Sequence, residues 1–145
     1  MELGNPLQIA VALKHPGKLT KKVKTHIFSL PSTPQTFREL IELMVGVCVR
    51  GYMARRQETD ALFPLTDDQW EAMSEVGKFA FGVHETDRLP HEDQAVKVAL
   101  SAIEDGLVRV FRGTEELVDL HAPIILSQGE VLTFVRLTML TGALW

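Results

Sequence analysis

Residues 7–14 alternate along the chain. Leu7, Ile9, Val11 and Leu13 fall on one face and Gln8, Ala10, Ala12 and Lys14 on the other, the period of a half-buried strand. His15-Pro16-Gly17-Lys18 reads as a turn. Residues 19–30 read as a second strand, with Leu19, Val23 and Ile27 inward and Lys22, Lys24, His26 and Phe28 outward. The two strands predict an N-terminal hairpin whose outer face carries Lys14, Lys22 and Lys24 around the small side chains of Ala10 and Ala12.

Pro31-Ser32-Thr33-Pro34 breaks the strand, and Thr36-x-x-Glu39 is a capping box, which satisfies two orphan backbone donors at a helix start. Phe37, Leu40, Ile41, Met44, Val45 and Cys48 follow at helical spacing, and Leu43 and Val47 widen the stripe. The apolar arc covers roughly 200°, more than the ~100° of a helix lying on one surface. A helix of this kind is covered on two sides, so residues 53–106 are expected to supply the second cover. There Thr66 is an N-cap, Asp67 and Asp68 favour the first turn, Gln69 sits at N3, and Leu65 and Trp70 form a hydrophobic staple. Trp70, Met73 and Val76 share one face of this second helix, which Gly77 and Gly82 end; a buried Trp70 is implied. After Pro90, Val96, Ala99, Leu100 and Ile103 mark a third helix that stops near Gly106. Neither short helix is stable in isolation, so both pack on the first helix or the sheet.

The remainder returns to strands. Leu107 to Phe111, the turn Arg112-Gly113-Thr114-Glu115-Glu116, and Leu117 to Leu120 read as strand, turn, strand. Pro123 to Gly129 connects to a last strand, Val131 to Leu140, in which Leu132 and Phe134 share one face and Thr133 and Val135 the other. The order is β-β-α, two inserted helices, then β-β-β. This predicts an α+β fold in which a mixed sheet is covered by a long helix, as one domain over residues 1–145 with a helical insertion at about 53–106.

Hairpin, helix and three further strands is the order of the ubiquitin-like β-grasp fold. The stretch Leu107-Val-Arg-Val-Phe-Arg-Gly-Thr-Glu-Glu-Leu117, followed by Ile124-Ile-Leu-Ser-Gln-Gly-Glu-Val-Leu-Thr-Phe-Val-Arg-Leu137, resembles that family's strand, glycine turn, loop with buried Ile, and strand ending near Arg-Leu. The resemblance covers residues 7–48 and 107–140. It implies a domain that serves as a protein modifier, a sulfur carrier or a plain binding module. Residues 49–106 have no counterpart in the minimal fold, and the sequence ends Thr141-Gly142-Ala143-Leu144-Trp145 instead of in the Gly-Gly that modifiers and carriers activate.

Composition changes the picture by exclusion. With 46% apolar and 23% charged residues, the 145-residue chain has the make-up of one globular domain. It has no apolar run near the roughly 20 residues that span a bilayer, and no basic-then-apolar leader, so the cytoplasm is the expected compartment. One cysteine excludes an intrachain disulfide and any zinc site built on two or more thiolates. Residues 1–56 carry nine Lys/Arg against three Asp/Glu (+6) and residues 57–145 six against sixteen (−10), which together make the net −4. The basic run Lys18, Lys21, Lys22, Lys24 lacks interleaved aromatics for base stacking, so no nucleic-acid partner is expected.

Candidate chemistry is sparse. His84-Glu85-x-Asp87 and His91-Glu92-Asp93 gather nitrogen and oxygen ligands, but their spacing matches no ligand signature, and Glu92 and Asp93 suit the acidic first turn of a helix. Cys48 lies on the apolar stripe, where a thiol acts as a small hydrophobe. No phosphate-cradling glycine loop and no Ser/His/Asp spacing occurs. The expectation is a non-catalytic protein-interaction module without cofactor, metal, nucleic-acid or membrane partner. Its surface is the open sheet face with Lys22, Lys24, Arg109, Thr133 and Val135, together with Trp145, which either docks in its own domain or meets a partner. The alternatives are a modifier or sulfur carrier processed at Gly142, and a small metal-dependent enzyme using His84 and His91.

Overall fold

The computed structural model describes residues 6–14, 25–57, 67–77 and 91–136. Among them the order is β1 (Leu7–Lys14), β2 (Thr25–Leu30), α1 (Phe37–Gln57), α2 (Asp67–Val76), α3 (Glu92–Glu104), β3 (Val108–Arg112), β4 (Glu115–Leu117) and β5 (Glu130–Arg136). The strands make one mixed sheet in the order β2-β1-β5-β3-β4. β1 and β5 are parallel, and the other neighbours are antiparallel. The described residues therefore form an α+β fold with three helices. None of the described helices is long and apolar enough to cross a membrane.

The central parallel pair is locked where β5 begins. The Gly129 N–H donates to the Gln8 carbonyl at 2.8 Å, and Gly129 takes φ +79°, a conformation open to glycine at little cost. The Gln128 side chain works like a piece of strand: its Oε1 accepts from the Gln8 N–H at 3.0 Å, and its Nε2 donates to the Pro6 carbonyl at 3.0 Å. At the other side of the sheet, β3 and β4 form a hairpin closed by Gly113-Thr114, with Gly113 at φ +67° as the first position of a two-residue turn requires.

One face of the sheet packs on the helices. Ile9, Val11, Phe28, Val110, Leu132 and Phe134 join Phe37, Leu40, Ile41, Met44, Val45 and Cys48 of α1 in one buried core. The buried arc of α1 from Leu40 to Val49 spans about 180° at 100° per residue, which matches the wide stripe. Each fully buried aliphatic or Phe side chain of this kind contributes about 1.5–3 kcal/mol.

The capping box forms in a shifted version. Thr36 Oγ1 accepts from the Glu39 N–H at 3.1 Å, while Glu39 Oε1 accepts from the N–H of Gln35, one residue before the cap. The first two helical N–H groups instead find loop carbonyls: Phe37 donates to Ala122 at 3.1 Å and Arg38 to Leu120 at 2.8 Å. The β4–β5 connection thereby holds the helix start over the sheet.

Small residues set how the helices meet. Gly46 and Gly51 lie about 140° apart around α1. At Gly46, α3 brings in Glu92; at Gly51, α2 brings in Met73. The two inserted helices thus reach α1 from different sides, and α2 also contacts β2. The expected second cover of α1 by these two helices is formed, with α2 and α3 flanking it. Trp70, read as buried, is only partly covered, and the α2 core contacts come from Ala72, Met73 and Val76.

Three further expectations are corrected. The facing of the second strand is reversed: His26 and Phe28 are buried (7% and 2% exposed) and Ile27 is 56% exposed. Phe28 and Leu30, two large apolar groups in one phase, outweigh the single Ile27 in the other. β4 occupies Glu115–Leu117 rather than 117–120, because the two-residue turn brings Glu115 directly opposite Arg112. α1 runs on to Gln57, past the expected start of the insertion at 53. The 15–18 turn, the Leu65 and Thr66 contributions and residues 137–140 of the last strand lie outside the described residues.

Candidate functional site

The face of the sheet away from the helices is built in cross-strand rows. Ala10 of β1 is flanked by Ile27 of β2 and Val131 of β5. In the next row Ala12 lies between Thr25 and Thr133, and Thr133 is paired in turn with Phe111 of β3. In the third, Val135 lies between Lys14 and Arg109. Ala10 and Ala12 are only 8% and 6% exposed because larger neighbours shade them, while Ile27 and Val131 stand 56% and 51% exposed. The two alanines therefore floor a trough along β1, walled by Ile27 and Val131 at Ala10 and by Thr25 and Thr133 at Ala12. Its walls stand about 10 Å apart, two strand spacings.

Among the described residues of this face the cations lie at one end. Lys14 is exposed, and Arg109 is half-exposed with its Nε 3.7 Å from Glu116 Oε2. Gln8 and Ser29, at the opposite end, are neutral. Of the residues expected on this surface, Arg109, Thr133 and Val135 are brought together; Lys22, Lys24 and Trp145 lie outside the described residues. Ile27, Val131 and Phe111 also lie on the described part of this face and were not among the expected site residues. Val131 was legible, since it shares the phase of Thr133 and Val135. Ile27 was hidden by the phase error in the second strand.

The other candidates are committed to local structure. Cys48 is fully buried, its thiol donates to the Met73 carbonyl at 3.6 Å, and burial pushes its pKa far up, so it is no nucleophile. His91 is the N-cap residue of α3 without a side-chain capping bond, and Glu92 accepts two hydrogen bonds from Arg50, at 3.0 and 3.1 Å. His84, Glu85 and Asp87 lie outside the described residues, and among the described ones no three His, Cys, Asp or Glu are grouped to hold a metal. An open groove of about 540 Å³ runs past Ser32, Glu39, Glu42, Leu43, Arg50 and Glu92. Its carboxylates are engaged by the Gln35 N–H, Arg38 and Arg50 respectively.

On the inner face, Arg112 and Glu130 pair across β3 and β5, with Nε to Oε2 at 3.2 Å. The Glu130 carboxylate also accepts from the Ser127 N–H at 3.1 Å. These bonds, the Ser127 amide foremost, hold its pKa below the ordinary glutamate value. The pair is structural: it closes the turn that starts β5. Comparison with protein family models, with curated proteins and with solved structures finds no match to this chain.

Proposed function

We propose that this chain is a non-catalytic protein-interaction module of β-grasp type that binds its partner through the open sheet face. Supporting the fold assignment is the strand order β2-β1-β5-β3-β4 with the parallel pair at its centre, and the long helix carried between β2 and β3 on one face. This order supports reading the sheet as a ubiquitin-like β-grasp, with α2 and α3 as additions in the crossover. The observation carrying the functional reading is the exposed apolar row of Ile27 and Val131 on either side of Ala10. Side chains that stand half or more in water on a sheet face do little for the fold, and apolar groups gathered in this way mark interaction surfaces.

The test is quantitative capture from native lysate. Wild-type chain, the double variant Ile27→Glu/Val131→Glu, and a helix control, Val98→Glu on exposed α3, are compared under one condition. Val98 is 51% exposed, so the control adds a charge at equal exposure elsewhere. Proteins held by wild type and control but lost by the double variant support the reading. An identical set held by all three, or none held by any, overturns it.

A further inference from the structure

We infer that the occupant of the open face is an acidic-apolar polypeptide segment: apolar side chains lie over the Ala10–Ala12 trough and a carboxylate lies between Lys14 and Arg109. The inference rests on the interaction reading above and adds the partner's chemistry and its direction on the sheet.

The argument is one of charge complementarity along β1. Rows on one face follow each other every second residue, about 7 Å. An extended segment or one face of a helix that fills the trough at Ala10 and Ala12 therefore reaches the Lys14–Val135–Arg109 row within about 14 Å of the first row, and there it meets two cations across about 10 Å. Among the described residues the cross-strand neighbour of Lys14 is Val135, and Arg109 has five N–H donors of which Glu116 engages one at 3.7 Å, longer than a good charge-assisted bond. A carboxylate above Val135 is within reach of both side chains. Val118, 70% exposed and one residue past the β3–β4 ladder, falls opposite Arg109 if the register is continued, so Val135 and Val118 border Arg109 and Glu116 is the carboxylate that a partner's charge competes with there.

Other occupants fit less well. A nucleic acid needs several phosphate contacts and stacking platforms, and the described residues of this face supply two cations and one half-buried aromatic, Phe111. A second copy of the chain, paired face to face about a two-fold axis along the strands, sets Lys14 and Arg109 against their own copies. With the axis across the strands, they meet the neutral Gln8–Ser29 end.

The experiment is selection of a displayed random twelve-residue peptide library on the immobilised full chain, with Lys14→Glu/Arg109→Glu and Ile27→Glu/Val131→Glu as parallel targets. All four positions are exposed, and thermal melts verify that each variant is folded. The expected result is peptides combining apolar residues with Asp or Glu on wild type, a switch from Asp or Glu to Lys or Arg on the charge-reversed target, and loss of all of them on the third. For a selected peptide, Lys14→Ala weakens binding up to about fivefold at low salt, and less as salt rises. Apolar peptides without acidic enrichment that still fail on Ile27→Glu/Val131→Glu overturn the acidic partner and leave the interaction reading standing. Peptides indifferent to Ile27→Glu/Val131→Glu, or no enrichment at all, overturn both.

Discussion

Alanine in place of Gly51 should destabilise the protein, whereas the same change at Gly46 on the same helix should leave it as stable or more so. Both variants gain the same helix term, about 0.8–1.0 kcal/mol. At Gly46 the added Cβ meets Glu92 Oε2 at 2.7 Å and the Arg50 guanidinium at 3.0 Å. Those atoms are the ends of long side chains 40% and 46% exposed, free to move outward at the cost of a surface ion pair, roughly 0–1 kcal/mol. At Gly51 the Cβ runs into Met73 Sδ and meets Cε at 2.6 Å. Met73 is 3% exposed and has no solvent to swing into, so overpacking costs about 1–3 kcal/mol. The difference between the two variants should be about 1.5 kcal/mol, read from urea unfolding followed by circular dichroism. Truncation of Met73 to alanine should remove the penalty at Gly51 and leave Gly46 unaffected, a coupling that a double-mutant cycle measures. A Gly51→Ala variant as stable as Gly46→Ala, or a Gly51 effect indifferent to Met73, would mean that α2 does not pack on α1 at this point.

The reversed facing of β2 predicts that Ile27→Glu changes stability by no more than about 0.5 kcal/mol while Phe28→Ala costs about 3–5 kcal/mol; equal losses in denaturant titration would contradict it. Thr36→Ala should cost about 0.5–2 kcal/mol through loss of the bond to the Glu39 N–H, and no loss would show that the loop carbonyls of Leu120 and Ala122 suffice. Glu130 has a depressed pKa in the folded state, so its stabilising effect is present above the ordinary glutamate value of 4.5 and is lost as pH falls through the lower folded value. Glu130→Gln should therefore be less stable than wild type at pH 7, with the gap closing in acid. A gap independent of pH would exclude the Ser127 and Arg112 bonds as its source.

Elements whose signals were local and redundant could be read from the sequence. The first strand had strict alternation over Leu7–Lys14, and the first helix had both a cap and a wide apolar stripe, so both were placed correctly. The third helix began after Pro90 and ended at Gly106, at φ +79°, as a left-handed terminator should. The second strand failed because its phase was carried from Leu19 through Val23 to Ile27. Over Thr25–Leu30 alone, polar Thr25 and Ser29 against apolar Phe28 and Leu30 give the opposite and correct answer. β4 lies two residues before the expected 117–120 because it is only three residues long, and periodicity cannot register so short a strand against its turn. For the candidate surface, Arg109, Thr133 and Val135 followed from the correct phases of β3 and β5. The Ile27–Ala10–Val131 row needed the cross-strand register, which depends on long-range pairing that no single strand encodes.

The central claim, that the open sheet face meets a partner, is tested most directly by site-specific photocrosslinking in the native cell. A benzophenone side chain is placed at residue 131 in one chain and at residue 98 on α3 in another, two positions of equal exposure at 51%. The account predicts discrete protein adducts from position 131 that disappear when Ile27→Glu is added, and none of these adducts from position 98. Adducts confined to position 98, or the same adducts from both positions and unaffected by Ile27→Glu, would contradict it.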